Sequence, residues 1–351
     1  MNKDFMKKYG FDESRNTEDF GGATLARVSA VHRERYGLIC EFGECYGRLK
    51  AKEYYQEGED FPTAGDFVLI DYNPSGESRI RKTLPRKTLF SRRDPTPGRG
   101  EQVVAANFDY VFLMQSLNHD FNPKRLERYL TLAWQSGAVP VVVLTKLDLV
   151  DDAYEQIKAA GDVALGVDII ALSAHTGEGM DALERYVQPG KTLVFLGSSG
   201  VGKSSLVNAL AGEEIMDVNG IREDDSKGRH TTTHRQMIMM KNGAMIIDTP
   251  GMRELGMWNV SEGITSSFAD VEAYLGKCRF RDCHHDGEPG CAIRAAIDAG
   301  ELSPERWESY KKLLSEAEFS GDKDAFLKKK KEWHKGISKF GKELKKRNKY
   351  E

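Results

Sequence analysis

From Ala23 to Ile80 the chain alternates short apolar stretches with glycines and charged turns, as in "ATLARVSAVH", "YGLICEFG", "CYGRLK" and "DFVLIDY". The apolar positions recur with a period of two and with little helical spacing, which predicts short antiparallel strands. A small β-barrel is the expected product. The basic segment that follows holds Pro85, Pro95, Pro97, Gly98 and Gly100 and reads as a linker. From Asp109 the pattern changes to compact apolar runs, Val111 to Met114, Pro140 to Leu144, Ile169 to Leu172 and Leu193 to Leu196, separated by stretches of helical patterning. Runs of that kind predict βα units around a buried parallel sheet. After Trp258 the strand signals stop, and the rest is first Cys/His-rich and then Lys/Glu-rich with helical composition.

The expected fold class is therefore multidomain: an N-terminal all-β barrel, a central α/β domain and a C-terminal, mostly helical domain. The expected boundaries are residues 1–100 for the barrel with its basic linker, 101–262 for the α/β domain and 263–351 for the last. No apolar run is long enough to cross a bilayer, and Met1 to Gly10 mixes Lys and Asp without an apolar core. A cytoplasmic protein with no membrane partner is expected, and nothing in the pattern suggests an obligate dimer, so a monomer is too.

Charge adds a partner class. The formal net charge is −3, but Lys328 to Lys349 carries ten Lys and one Arg against two Glu. A second block, Arg79 to Arg93, holds seven Lys/Arg and no acid. Two unopposed basic blocks in an otherwise acidic chain favour a polyanion. Arg86, Lys87, Arg92 and Arg93 are expected to contribute on the barrel side.

The strongest chemical motif is Gly197-Ser198-Ser199-Gly200-Val201-Gly202-Lys203-Ser204, with Ser205 following, which fits a P-loop. It lies between an apolar strand, Thr192 to Leu196, and a helix-like stretch, Ser204 to Ala211. Its glycines let backbone N–H groups wrap phosphates, Lys203 can reach the outer phosphates and Ser204 can ligate Mg²⁺. Thr145-Lys146-Leu147-Asp148, at the end of another strand, supplies a discriminator. The Asp148 carboxylate can accept from guanine N1–H and the 2-amino group together, a donor pair that adenine lacks. Ser173-Ala174-His175-Thr176-Gly177 can offer backbone N–H groups to the guanine oxygen. Downstream, Ala244 to Ile247 leads into Asp248-Thr249-Pro250-Gly251, where Asp248 can hold Mg²⁺ and Gly251 can meet a γ-phosphate. Between them lies Gly212 to His234, with Thr231-Thr232-Thr233; three adjacent threonines fit a β-strand equally, but the place between the P-loop and DTPG favours a mobile switch that closes a threonine onto Mg²⁺.

In this order the guanine motifs precede the P-loop, a circular permutation of the Ras-like order. With "GRHTTT" and the flanking domains, the chain resembles the ribosome small subunit-dependent GTPase A family over nearly its whole length. The resemblance implies an OB-fold at the N-terminus, a permuted GTPase domain and a C-terminal zinc domain. It implies GTP/GDP and Mg²⁺ as ligands, and a role in late maturation of the small (30S) ribosomal subunit with its 16S rRNA. The family's nucleotide residues carry over onto Thr145, Lys146, Asp148, Ser173, Ala174, Gly197, Lys203, Ser204, Thr232, Asp248 and Gly251.

Two departures from the general GTPase pattern stand out. Thr145 replaces the usual Asn, which puts one contact to the base and to the P-loop in question. Met252 stands where Ras-like proteins place the Gln that orients water, so unassisted hydrolysis is expected to be slow. The resemblance points to a histidine of the switch segment as the substitute, His230 or alternatively His234. The zinc candidate is Cys278-x4-Cys283-x-His285-x5-Cys291, with His284 as a competing imidazole. Three thiolates and one imidazole make a closed tetrahedral site, and the family match names these four as ligands. Two other readings are a P-loop kinase or ATPase, which Asp148 opposes, and an RNA-binding module that holds GTP as a structural ligand, which Met252 favours.

Overall fold

The computed structural model describes residues 3–15, 20–32, 35–49, 61–93, 101–118, 120–216, 235–248 and 260–321. The chain divides into two compact units, Met1–Leu255 and Gly256–Glu351. A short helix, α1 (Lys3–Lys7), precedes five strands: β1 (Thr24–Val31), β2 (Tyr36–Cys40), β3 (Gly43–Arg48), β4 (Phe67–Asp71) and β5 (Ser78–Thr83). They pair in the order β1-β2-β3-β5-β4, and β4 returns to β1, so the sheet closes into a five-stranded barrel. All pairings are antiparallel except β3 with β5, through Gly47↔Ser78 and Arg48↔Arg79. This is the OB-type arrangement expected from the family resemblance.

The barrel interior is filled by Ala26, Val28, Leu38, Cys40, Val68, Ile70 and Ile80. On β4 the alternate residues Phe67 and Leu69 are buried as well, in a second cluster with Met6, Phe11 and Phe20. The N-terminal segment thus covers the outside of β4, which is why this strand reads as a continuous apolar run.

The segment expected to be a linker is structured at both ends. Strand β6 (Leu89–Arg93) pairs antiparallel with β7 (Glu101–Ala106) as a separate two-stranded ribbon. Its prolines and glycines at 95–100 lie outside the described residues.

The remaining strands, β8 (Tyr110–Ser116), β9 (Val139–Thr145), β10 (Asp168–Ala171), β11 (Thr192–Gly197), β12 (Arg235–Met239) and β13 (Met245–Asp248), form a sheet in the order β10-β9-β8-β11-β13-β12. The first five in that order are parallel, and β12 is antiparallel to β13. Helices α2 (Pro123–Gln135), α3 (Tyr154–Val163) and α4 (Lys203–Ala211) follow β8, β9 and β11. The start of α2 is locally specified. Asn122 caps it by accepting from Arg125 N, Pro123 sits in the first turn, and Leu126, Leu130 and Ala133 give the buried face. Parallel pairing brings the carboxyl ends of β8, β9, β10, β11 and β13 to one edge, where ligands bind in open α/β sheets.

β12 also pairs with β1 through Ala30↔Gln236 and Val31↔Arg235, which makes barrel and α/β sheet continuous. Their junction is polar inside. Arg27 of β1 is fully buried and donates to Gly65 O (3.1 Å), Asn107 O (2.9 Å), Thr192 Oγ1 (3.1 Å), Tyr9 O and Met245 Sδ. Burial lowers its pKa to about 10, with Asp109 and Asp66 opposing that shift, so it remains a cation at neutral pH. Gly65 has φ +91°, and a Cβ there would lie 2.0 Å from Ala106 O, so this close approach requires glycine.

The described residues of the second unit hold four helices, α5 (Ser261–Ser267), α6 (Ala269–Glu272), α7 (Ala292–Asp298) and α8 (Pro304–Gly321), with an irregular segment, 273–291, between α6 and α7. Ile264, Phe268, Val271, Ile293, Trp307 and Tyr310 are buried in it. Arg306 of α8 makes a forked pair with Asp270 at 3.0 Å and lies over the Phe268 ring.

Candidate nucleotide site and metal centre

The phosphate loop begins as β11 ends. Gly197, at the last position of the strand, lies so close to Met114 that a Cβ would meet its carbonyl oxygen at 3.0 Å. Gly200 and Gly202 have φ of +72° and +100°, left-handed values that glycine adopts without strain. The loop turns there and enters α4 at Lys203, so the N-terminal end of that helix, the end that favours an anion, adjoins the loop. Ser199 and Gly200 form an exposed apex, Val201 is buried beneath it, and Ser204 and Ser205 occupy the first turn of α4.

The side chains around the loop are already engaged. Lys203 Nζ pairs with Asp248 Oδ1, where β13 ends beside β11. Lys203 is one-third exposed and Asp248 is nearly buried. A nucleotide with Mg²⁺ would substitute for this pair, giving the ammonium to phosphate oxygens and the carboxylate to the ion. Ser204, one helical step beyond Lys203, can supply a hydroxyl to the same ion. Asp248 and Ser204 are the hard oxygen donors that Mg²⁺ takes, usually with several waters retained.

Thr145 contacts the P-loop. Its hydroxyl donates to Val201 O at 2.6 Å and stands 3.3 Å from Gln115 O. The physical reason is proximity: Thr145 ends β9 buried directly under the loop, and a short side chain suffices to span the gap. Beyond it Lys146 adopts a left-handed conformation (φ +63°), which turns the chain sharply and leaves Asp148 exposed. Leu147 opens the 3₁₀ turn there, and its N–H is held by Leu172 O (3.1 Å), which ties this turn to the end of β10. The buried Ser173 shapes the neighbouring turn. Its Oγ accepts from His175 N (3.2 Å) and Thr176 N (3.1 Å), while Ala174 is half-buried beside the core. The Thr145–Asp148 turn, the Ser173–Gly177 turn and the Gly197–Ser204 loop therefore share one sheet edge, and the first and last are joined by the Thr145–Val201 hydrogen bond.

Thr232, Gly251, His230, His234 and Met252, the switch and water-orienting candidates, lie outside the described residues. So does the basic tail Lys328 to Lys349.

Sequence reasoning missed Asp120. It follows β8 at the same sheet edge, and its carboxylate accepts from Ser198 Oγ. The available signal was its position, four residues past Ser116 at the end of a parallel strand.

The basic block Arg79 to Arg93 also needs correction. Arg86 is buried, forked onto Asp66 (2.9 Å at both nitrogens) and bonded to Phe61 O. It is an internal strut and cannot serve a polyanion. Lys87 is half-exposed but paired with Asp109 at 3.0 Å, and Arg92 bonds Gln102 Oε1 across the β6–β7 ribbon.

In the second unit Cys278, Cys283, His285 and Cys291 place their ligand atoms within 4.8 Å of one another. His285 Nδ1 stands 3.5, 3.7 and 3.4 Å from the sulfurs of Cys278, Cys283 and Cys291. A tetrahedral Zn²⁺ with ordinary bond lengths would put such N and S atoms about 3.6 Å apart. The four residues fit that ion. His285 reaches the cluster through a left-handed backbone (φ +61°) and packs edge-on against Trp307 of α8. His284 is set aside from the cluster, and its backbone N–H bonds Glu288. Ala292 N donates to Cys278 Sγ and, with other contacts, holds that thiol below its ordinary pKa, as a metal ligand requires.

Comparisons with known proteins place the chain in a family. The RsgA GTPase family model matches residues 83–258. The chain is 46% identical over 322 residues to a Listeria innocua protein named small ribosomal subunit biogenesis GTPase RsgA 1, with 91% of each chain covered. A solved structure of YjeQ from Thermotoga maritima is similar at 26% identity and a TM-score of 0.62, covering 83% of this chain and 96% of that one. Another, described as YloQ, a circularly permuted GTPase, shares the fold at 23% identity and a TM-score of 0.59, with 88% and 99% covered. Motif order, sheet topology and these matches converge: the chain belongs to the RsgA GTPase family and is a circularly permuted GTP-hydrolysing enzyme.

Proposed function

We propose that this GTPase uses GTP binding and hydrolysis to time its attachment to, and release from, the small (30S) ribosomal subunit during late maturation. The relatives' names give the subunit, and the 16S rRNA is the polyanion that the basic tail would contact. The observation that carries the reading is the shared sheet edge: the guanine turn and the phosphate loop are coupled through Thr145 and Val201, so occupancy at one biases the other. In this reading Gly197–Ser205 hold the phosphates, and Thr145, Lys146, Leu147, Asp148, Ser173 and Ala174 hold the base. Ser204 and Thr232 hold Mg²⁺ with Asp248 nearby, Gly251 meets the γ-phosphate, and His230 orients water. Lys203 and Thr232 stabilise the charge that develops on the phosphates. Cys278, Cys283, His285 and Cys291 hold one structural Zn²⁺.

The working division is residues 1–100 as RNA-binding barrel, 101–262 as GTPase and 263–351 as zinc domain with its basic tail. The protein acts as a monomer in the cytoplasm. Without a Gln at position 252, turnover depends on the subunit. The decisive experiment measures GTP turnover with and without small subunits, and co-sedimentation with a non-hydrolysable GTP analogue against GDP. Strong stimulation and analogue-dependent binding are expected. Equal turnover and equal binding in both nucleotide states would overturn the timing role.

A further inference from the structure

Two side chains outside the phosphate loop brace it, one at each end of its exposed apex. Thr145, at the end of β9, holds the Val201 carbonyl. The other brace comes from the segment between β8 and α2, which belongs to none of the nucleotide motifs. There Asp120 accepts the Ser198 hydroxyl through one carboxylate oxygen, and that same oxygen receives Arg125 of α2 at 3.0 Å. Arg125 also donates to the Asp120 carbonyl. The segment's described residues are tied to one another and to β8. Asn118 Oδ1 accepts from Ser116 Oγ (2.8 Å) and Asp120 N (3.3 Å), while Gln115 exchanges hydrogen bonds with the backbone of Asn122 at 2.8 and 3.0 Å. Between the two braced residues lie only Ser199 and Gly200, both exposed.

We propose that Asp120, oriented by Arg125, is a positioning residue of the GTPase: it fixes Ser198 and so presets the Ser199–Gly200 apex for the phosphates. The physical argument is preorganisation. Backbone amides stabilise developing phosphate charge only if they are aimed before the charge appears, and a loop that must order first loses part of that stabilisation. A carboxylate is an unexpected neighbour for a phosphate-binding loop because it repels the ligand. Arg125 offsets this by pairing with the oxygen that Ser198 uses. The role rests on the reading of Gly197–Ser204 as the phosphate site.

The test is a double-mutant cycle in the full chain, read by steady-state GTP turnover, with nucleotide affinity measured separately. Asp120→Ala and Ser198→Ala should each lower kcat/KM about tenfold, the size expected for one charge-assisted hydrogen bond. The double variant should be no worse than either single one. Asp120→Asn keeps an acceptor for the Ser198 hydroxyl and should recover most of the loss, which a general destabilisation of α2 would not do. If Ser198→Ala turns over like the wild type, or the two losses multiply, the brace is overturned. Lys203→Ala is the separating control: wild-type turnover in that variant would overturn the phosphate site itself, whereas its inactivity beside a normal Ser198→Ala would overturn only the brace.

Discussion

Arg86–Asp66 and Lys203–Asp248 are both cation–carboxylate pairs in the first unit, yet they differ in every physical respect that matters. Arg86 makes two parallel bonds to Asp66, whose second oxygen also accepts from Thr63 N at 2.8 Å, and the third acceptor of Arg86 is Phe61 O. Both side chains are withdrawn from water, at 6% and 0% exposure. The Lys203 pair is one contact between an ammonium on a flexible stem and a carboxylate at the strand edge, with the cation one-third exposed. A closed, forked pair is permanent because removing either partner leaves a buried charge. An open, single pair at a ligand site is exchangeable, since phosphate or Mg²⁺ can satisfy each member in turn. Motif spacing marks the second kind, and burial marks the first.

The comparison can be broken at either pair. Arg86→Met leaves the Asp66 carboxylate buried without its partner and should cost about 3–5 kcal/mol of stability, read by urea unfolding of the first unit. Adding Asp66→Leu should restore much of that loss. If Arg86→Met unfolds at the wild-type midpoint, the pair is not a strut.

Lys203→Ala should do the opposite, lowering turnover by about 10²–10³-fold, as for other lost charge-stabilising donors, while the urea midpoint barely moves. A large fall in stability with turnover retained would reverse the assignment of the two pairs.

Asp148, exposed at the same sheet edge and proposed to hold the base, sharpens the exchangeable class. Asp148→Asn should weaken GTP by about 1.5–3 kcal/mol, the range for a hydrogen bond to a charged group, and should favour xanthosine nucleotides in a competition assay. Unchanged GTP affinity would remove Asp148 from the base site.

The smallest effect is expected next door to the largest. Lys87 adjoins Arg86, but its pair with Asp109 is 43% exposed on the lysine side. Lys87→Ala should change stability by only about 0.2–1 kcal/mol, with the difference shrinking as salt screens it. A loss as large as that of Arg86→Met would show that sequence neighbours, and not burial, set the cost.

What the sequence determined by itself was everything encoded in short spacing. The P-loop glycines, the Thr145 to Asp148 and Ser173 to Gly177 turns, the apolar strands that lead into them and the Cys278 to Cys291 cluster are local patterns whose chemistry follows from a few adjacent residues. Four of the five barrel strands were legible for the same reason, since alternation is a local property. The fifth, Ser78–Thr83, was hidden because "SRIRKT" carries one apolar residue and is specified by its partners β3 and β4. β12 was likewise unread, because its place depends on β13 and β1. Only the tertiary structure decided which charges are internal. It put Arg27 at the barrel junction and Arg86 on Asp66, and it brought Thr145 and Asp120 from separate strand ends to the phosphate loop. Desolvation and long-range hydrogen bonding depend on which distant segments meet, and spacing along the chain does not carry that information.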